Sequence, residues 1–363
     1  MEIEKKTVAK MKAYAALIGI VVLVVSLVAV AGCQTATETS SPEPTASSSP
    51  STEPIEIKWT TVTTSTHIDF LSMEQWAKEV EEKTDGKVKF TVYPSNTLCS
   101  PLETYNAVKT GLADMGTAPT GYSRQYLPLN KFVGDAMKGL ETAEQNVTVY
   151  NKVFSKFPAL EEEFKDVHYL WGYTSVPLSI STSGTAIRTL SDFEGITMRM
   201  PPGLEPLAEA WGASPVSMPI SEIYVALEKG TMDGYFGGAE MLESMKLAEL
   251  TDYVTIPKMV CATVWVGMNP DTWESLPGDV QQVINDMTQR GQNMIVDAVD
   301  KSAEENLQYA EEQGLEIINP GEAELQKIYD ASSPVFNQIA ADLEEKGYPA
   351  DEILSELGKL GAQ

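Results

Sequence analysis

The feature of the sequence that most restricts the fold is a short unit that occurs twice. The segments YNAVKTGLAD (105–114) and YVALEKGTMD (224–233) share Tyr, Ala, an aliphatic residue, Gly and Asp at the same offsets. Each copy follows a strand-like segment that ends in proline, VKFTVYP (88–94) and ITMRMPP (196–202). A short match alone could arise by chance, but the repeated order of strand, helix, glycine and strand favours a duplication. We therefore expect two similar α/β lobes whose strand ends face a shared cleft.

The C-terminal third of the chain has helical periodicity. Residues 279–313 favour helix almost throughout, with Gly291 as the weak point. At 1.5 Å per residue, such a helix is roughly 50 Å long, which exceeds one lobe and predicts a helix that lies across both. A strand is expected at 315–320 and a last helix at 322–346, ending at Gly347.

The first 32 residues have the pattern of an export signal. Four lysines precede an apolar run at 15–31, which ends in Gly32 and Cys33. An uncleaved transmembrane anchor is the alternative, because the run is nearly long enough to span a bilayer. The tetrapeptide VAGC resembles the lipobox of bacterial lipoproteins. This likeness implies that residues 1–32 are removed and that acylated Cys33 anchors the exported protein in the periplasm or at the outer face of the cytoplasmic membrane.

A tract rich in Ser, Thr, Pro and Glu follows at residues 33–54, and it contains almost nothing that could be buried. We expect it to be a disordered tether, so that the folded part begins near Ile55. The chain of 363 residues has a formal net charge of −26. So acidic a surface excludes a nucleic-acid partner.

An arginine stands at the end of the strand in the second copy of the unit. In ITMRMPPG, Thr197 and Arg199 project to one side of the strand, and two prolines end the strand directly afterwards. Open α/β sheets bind ligands beyond the carboxyl ends of their strands, and a guanidinium fork matches a carboxylate. An internal salt bridge is the alternative, since an acidic chain offers many partners. The position favours a carboxylate ligand bound by Arg199.

Four longer segments together resemble one known family. They are VEEKTDGKVKFTVYPSNTL (80–98), IRTLSDFEGITMRMPPG (187–203), WGASPVSMPISEIYVALEKGTMDG (211–234) and MNPDTWESLPGDVQQVI (268–284). In this order they are similar to the signatures of the solute receptors of tripartite ATP-independent periplasmic (TRAP) transporters, the DctP-type family. The likeness covers about residues 55–345.

The resemblance implies a fold, a binding role and a partner. The fold would be an α/β, two-lobe clamshell of the periplasmic-binding-protein type (type II-like), with a long helix spanning both lobes. Lobe I would comprise residues 55–177 with part of 262–290, and lobe II residues 178–261 with part of 291–363. Arg199 would pair with the carboxylate of an organic acid, which the receptor would deliver to the membrane permease subunits of a TRAP transporter.

Departures from the family pattern bear on the substrate. In the sialic-acid branch a second arginine precedes an Ala-Ile dipeptide, and here that position is Thr185. Polar residues that this branch uses are replaced by Val62, Pro119 and Gly237, which argues against a sugar acid and leaves these three as site candidates. The other candidates for the ligand walls are apolar or aromatic, which favours a simple or hydrophobic monocarboxylate. They are Ile220, Tyr235, Phe236, Trp171, Tyr173 and Trp265.

Catalysis and metal binding find little support in the sequence. The only histidines are His67, near the end of the first strand, and His168, and there is no G-x-S-x-G elbow. Cys99 and Cys261 lack the spacing of metal ligands and form either a disulfide or two buried thiols. We expect a binding protein, not an enzyme, without a cofactor or a metal site of its own, and a metal ion that bridges ligand and protein, as in some branches of the family, remains an alternative. A receptor of an ATP-driven transporter and a surface lipoprotein that senses or adheres remain alternatives.

Overall fold

The computed structural model describes residues 53–218 and 220–361. The predicted signal segment 1–32, Cys33 and the tether up to residue 52 lie outside the described residues. The first strand begins at Ile55, where the sequence predicts the start of the folded part. Within the described ranges, no helix is both long enough and apolar enough to cross a membrane.

Helices and strands alternate along most of the described chain. The helices are α1 (Ile68–Lys83), α2 (Thr104–Lys109), α3 (Pro128–Asp135), α4 (Ala143–Lys156), α5 (Pro158–Glu162), α6 (Glu205–Trp211), α7 (Ile223–Glu228), α8 (Met241–Ser244), α9 (Pro270–Ser275), α10 (Gly278–Glu312), α11 (Glu322–Glu344) and α12 (Ala350–Leu360). The strands are β1 (Ile55–Thr61), β2 (Val88–Tyr93), β3 (Met115–Pro119), β4 (His168–Thr174), β5 (Ser179–Thr182), β6 (Thr197–Arg199), β7 (Ser214–Val216), β8 (Gly234–Gly237), β9 (Tyr253–Thr255), β10 (Thr263–Met268) and β11 (Glu316–Ile318).

The strands form two sheets of the same design. The first sheet has the order β2-β1-β3-β10-β4, and the second has the order β11-β9-β5-β8-β6-β7. In each sheet one strand runs antiparallel to both of its neighbours, β10 in the first and β5 in the second. This confirms the predicted α/β clamshell of two similar halves.

The two copies of the sequence unit make matching contacts. In the first sheet the carboxylate of Asp114 accepts the N–H of Lys58, and the N–H of Asp114 donates to the carbonyl of Lys58. In the second sheet Asp233 makes the same pair of hydrogen bonds with Thr197. Because the shared aspartate closes the same helix-to-strand turn in both copies, the contacts support the duplication that the sequence suggests.

The chain passes between the two sheets at several points. It crosses from β4 to β5 through residues 175–178 and returns from β9 to β10 through residues 256–262. Helix α10, 35 residues long, then packs on α1 and β4 at the first sheet and on α8 and β11 at the second. The predicted long helix across both halves is therefore present, with nearly the predicted bounds.

One hydrophobic core joins the two halves. It packs Phe132 of α3 and Val153 of α4 against Met198 and Phe236, which lie on one face of the second sheet. Separate cores lie beneath the first sheet, around Trp59, and on the other face of the second sheet. Hinge motion between the halves would therefore have to leave the shared core intact.

The prediction that α11 is the last helix was wrong. Gly347, with φ 87°, does end the turn after α11, but a further helix, α12, follows from Ala350 to Leu360. Its buried Ile353 and Leu357 are four residues apart and pack into the shared core. The glycine therefore marks a bend between two packed helices rather than the end of the helical region.

Candidate functional site

Arg199 occupies the last position of β6, between two parallel neighbours. It is in register with Val216 of β7 and Tyr235 of β8, and the prolines at 201 and 202 prevent the strand from continuing. The alternation of the strand sends Met198 into the shared core, so Arg199 lies on the opposite face of the sheet. The sequence therefore predicts its place correctly, at the carboxyl end of a strand.

The guanidinium of Arg199 is buried without an ionic partner. The residue is 5% exposed, its Nη1 donates to the carbonyl oxygen of Phe236 at 3.4 Å, and its Nε has no hydrogen-bond partner. Among the described residues, no carboxylate lies within 4.0 Å of it. Burial lowers the pKa of Arg199, although the nearby Tyr122 and Glu205 raise it. The described structure thus lacks the internal salt bridge that was the alternative for this arginine.

Residues that follow β3 of the first sheet face Arg199 and its loop. Tyr122 lies in a short 3-10 helix directly after β3. Burial raises the pKa of Tyr122, and the nearby positive charge of Arg199 lowers it. A Cβ on Gly203, in the loop after β6, would stand 3.8 Å from both Arg124 Nη1 and Lys131 Nζ. The strand ends of the two sheets therefore approach each other here, with three cationic side chains nearby.

A row of buried polar side chains crosses the same face of the second sheet. Ser181 of β5, Tyr235 of β8 and Arg199 of β6 are register partners on adjacent strands. The Oγ of Ser181, the hydroxyl of Tyr235 and the Nε of Arg199 are all buried without a hydrogen-bond partner. Burial raises the pKa of Tyr235 and outweighs the lowering effect of the neighbouring Ser181 hydroxyl, which is too far away for a well-formed hydrogen bond, so Tyr235 stays protonated and able to donate.

Acidic groups lie beside this face, around the start of α1. Asp69 is 8% exposed; its Oδ2 accepts the hydroxyl of Tyr173 at 2.7 Å, and its Oδ1 has no hydrogen-bond partner. His67 caps α1 by accepting the N–H of Asp69 at Nδ1, 3.2 Å away. Across from them stands Glu240, three residues after β8. Burial raises the pKa of Glu240, while nearby His67 lowers it and nearby Asp69 raises it.

Most of the aromatic wall candidates lie in hydrophobic cores. Trp171 packs against Trp59 and Trp76, with ring centroids 6.5 and 5.0 Å away, and Trp265 packs on Tyr105 while its Nε1 donates to Ser123. Phe236 packs edge to face on Trp211 in the shared core, and the ring of Tyr173 is buried beneath the first sheet. Their ligand contacts remain predictions, and only the hydroxyl of Tyr173 reaches the acidic group described above.

The remaining candidates lie at strand ends or at the surface. Val62 and Pro119 are half-buried after β1 and at the end of β3, and Ile220 is 36% exposed. A Cβ on Gly237 would stand 3.0 Å from the sulfur of Met241 and 3.2 Å from the ring of Tyr235, so side chains of the same half pack closely on the end of β8. Thr185 engages only its backbone carbonyl, which accepts the hydroxyl of Thr182.

Several site residues escaped the sequence analysis. Tyr122, Arg124, Asp69, Glu240 and Ser181 belong to no motif, and reasoning from residue type alone gives them no special weight. Four of them come within ten residues after the end of β1, β3 or β8. Position after a strand end is therefore the signal that could have found them.

The other reactive side chains lie apart from this site. His168 stacks on Trp273 at the far edge of the first sheet, with ring centroids 4.0 Å apart. Cys99 and Cys261 are both free thiols rather than a disulfide, and of the two only Cys261 is buried, while Cys99 is half-buried. In the described part of the chain, no group of three or more His, Cys, Asp or Glu side chains is placed to hold a metal ion.

Two matched α/β sheets, a long helix across both and a buried cation at the strand ends define a two-lobe solute-binding protein. The chain belongs to family 7 of the bacterial extracellular solute-binding proteins, the DctP-type receptors of TRAP transporters, because the model of that family matches residues 59–343. This confirms the family that the sequence motifs resemble.

Individual relatives are distant in sequence and close in fold. The C4-dicarboxylate-binding periplasmic protein DctP of Rhodobacter capsulatus is 25% identical over 80% of this chain and 82% of its own. A TRAP solute-binding protein of Desulfovibrio salexigens, crystallised with the C-terminus of a symmetry mate in its ligand site, is 28% identical, with a TM-score of 0.77 over 85% of this chain and 95% of its own. A TRAP solute-binding protein of Rhodoferax ferrireducens, crystallised with copurified benzoate, is 23% identical, with a TM-score of 0.76 over 85% of this chain and 98% of its own.

Proposed function

We propose that this protein is an extracytoplasmic receptor that binds an organic acid, a monocarboxylate, and delivers it to the permease of a TRAP transporter. One observation carries the proposal. Arg199, 5% exposed, stands at the carboxyl end of β6 and has no carboxylate partner among the described residues. A buried cation without a counter-ion is costly, and a ligand carboxylate that accepts its free N–H groups would remove that cost.

The geometry around Arg199 favours a bidentate contact. The carbonyl of Phe236 accepts from Nη1 only, at 3.4 Å, and so leaves Nε and the other N–H groups for a ligand. A carboxylate can accept two parallel hydrogen bonds from a guanidinium, which gives orientation as well as charge recognition. Tyr122 would stand on the other side of that carboxylate, because it faces Arg199 from the first sheet.

The relatives support an acid as the ligand. The protein of Rhodoferax ferrireducens holds benzoate, the protein of Desulfovibrio salexigens holds a polypeptide C-terminus in its ligand site, and DctP of Rhodobacter capsulatus is named for C4-dicarboxylates. A carboxyl group is common to these ligands. For this chain we propose one carboxylate, because Arg199 is the arginine whose buried fork is unpaired at the strand ends.

Capture and delivery require the two halves to close over the ligand. We propose that closure bends the crossing segments 175–178 and 256–262 while the shared core stays packed. The closed form would then dock on the permease. The role is that of a receptor without catalysis. An acylated Cys33 would hold it at the membrane through the tether 33–54, and mass spectrometry of the N-terminal peptide from membranes would detect the lipid.

Calorimetric titration with a library of organic acids tests the proposal. We expect at least one acid to bind, and Arg199→Ala to weaken that binding by about a hundredfold or more. Arg188→Ala is the matched control, because Arg188 is an exposed arginine of the same half that pairs with Glu316. Circular dichroism would verify the fold of both variants. Failure of every acid to bind, or binding unchanged in Arg199→Ala, would refute the assignment.

A further inference from the structure

We propose that the cleft has a second, acidic pole, formed by Asp69 and Glu240, that binds a cationic nitrogen of the ligand. The ligand would then be a zwitterionic monocarboxylate, with its carboxylate on Arg199 and its nitrogen between the two acids. This inference rests on the proposed function, since it takes the contact of Arg199 with a carboxylate as given. Beyond that function, it specifies that the end of the ligand opposite the carboxylate carries a cationic nitrogen.

The first support is an unsatisfied acceptor on Asp69. Its Oδ1 is buried and has no hydrogen-bond partner in the protein. Because the residue is only 8% exposed, water has little access to this oxygen. His67 Nδ1 lies 3.6 Å from this oxygen and accepts the N–H of Asp69 at 3.2 Å, so it makes no hydrogen bond to Oδ1. The hydroxyl of Tyr173 fixes the other oxygen of Asp69 at 2.7 Å. A hydrogen-bond donor on a ligand would satisfy the acceptor Oδ1.

The second support is the position of Glu240 in the opposite half. Its carboxylate folds back over Gly238 and fills the space that a Cβ there would need. The groups that face it are His67 and Asp69 from α1 and Tyr235 from β8, and its own pKa is raised chiefly by burial. Two neighbouring carboxyl groups offer a cationic nitrogen several acceptor oxygens and a charge of opposite sign.

The strand orders set the two poles side by side. In the first sheet β1, which leads to Asp69, is the neighbour of β3, which leads to Tyr122. In the second sheet β8, which leads to Glu240, is the neighbour of β6, which ends at Arg199. Glu240 lies near Asp69 and Arg199 lies near Tyr122, so the two poles follow neighbouring strands in each sheet. A ligand with opposite charges at its two ends would contact both.

Calorimetry with pairs of acids that differ only in an amine tests the inference. Suitable pairs are phenylalanine with 3-phenylpropanoate, 4-aminobutanoate with butanoate, and 4-(aminomethyl)benzoate with 4-methylbenzoate. In each pair that binds at all, we expect the acid with the amine to bind the wild-type protein about tenfold or more tightly than the acid without it. Asp69→Asn and Glu240→Gln should each reduce this ratio, because each weakens the binding of the amine-bearing acid more than that of its amine-free partner.

Asp271→Asn is the control, because Asp271, like Asp69, lies in the first turn of a helix but is exposed. It should leave the ratio unchanged. Amine-free acids that bind as tightly as their partners, or a preference for hydroxyl acids such as 3-hydroxybenzoate over the amines, would overturn the inference while leaving the proposed function in place. If Asp69→Asn weakens both members of a pair equally, Asp69 is structural and the inference is wrong. If no acid binds, the proposed function itself fails, and the inference fails with it.

Discussion

Nη1 of Arg199 donates to the carbonyl oxygen of Phe236, 3.4 Å away at the end of the adjacent strand. The contact joins β6 to β8 at the edge of the sheet where the two halves meet. It orients the guanidinium without neutralising it, because a carbonyl is an uncharged acceptor. The arrangement therefore keeps a positive charge available in a place where water is largely excluded.

Replacement of Arg199 by lysine tests whether the fork or the charge matters. We expect Arg199→Lys to bind the cognate acid at least about tenfold more weakly than the wild type, since an ammonium cannot make two parallel hydrogen bonds and would have to reach both the ligand and the Phe236 carbonyl. Calorimetric titration of both proteins with the same acid measures this. Equal affinities would show that charge alone suffices.

Gly291 should tolerate no side chain, although it lies inside a helix. A Cβ there would stand 2.9 Å from Trp171 Cζ2 and from Trp76 Cδ1, so Gly291→Ala should lower the free energy of unfolding by about 1–3 kcal/mol despite the better helix propensity of alanine. Gly358, on the exposed side of helix α12, has nothing within 4 Å of such a Cβ. Gly358→Ala should raise the free energy of unfolding by up to about 1 kcal/mol. Urea denaturation measures both, and opposite signs are the expected result.

A buried glutamate should make stability depend on pH. The carboxylate of Glu163 accepts the N–H groups of Leu129 and Asn130 at the start of α3, but burial dominates and raises its pKa from 4.5 to about 7. Between these values the folded state binds more protons than the unfolded state, so the free energy of unfolding falls as pH rises, by at most about 3 kcal/mol. Its contribution is complete below pH 4.5 and lost above pH 7.

Glu163→Gln removes that titration. The difference in unfolding free energy between wild type and Glu163→Gln should therefore shrink or reverse as pH rises from 4.5 to 7, as followed by urea denaturation at several pH values. Glu162→Gln changes an exposed neighbour and should give a curve parallel to that of the wild type. Parallel curves for Glu163→Gln as well would contradict the raised pKa.

The two free cysteines of the described region should differ in reactivity. Cys261 is 2% exposed, and burial raises the pKa of its thiol, so the reactive thiolate is scarce. Cys99 is half-buried beside Thr60. Iodoacetamide should alkylate Cys99 at least about tenfold faster in the native protein, as peptide mass spectrometry would report, and the difference should vanish in denaturant. Equal native rates would mean that the core around Cys261 opens readily.

The sequence by itself determined the repeated architecture of this protein. The matched turns at Asp114 and Asp233, the 35-residue helix α10 and the place of Arg199 at a strand end all follow from local patterns, because helix periodicity, glycine turns and proline breaks act within a few residues. Family membership likewise follows from motifs in a fixed order along the chain.

Only the tertiary structure decided what each side chain meets. Alternation in a strand tells which residues share a face, but it does not tell whether helices or the opposite half cover that face. Trp171 and Phe236 were therefore indistinguishable from cleft residues until packing placed them in cores. For the same reason the proximity of Asp69 in α1 to Glu240 after β8, 171 residues later in the chain, had no local signal. Long-range packing sets the charges that surround a site, and it depends on the whole fold.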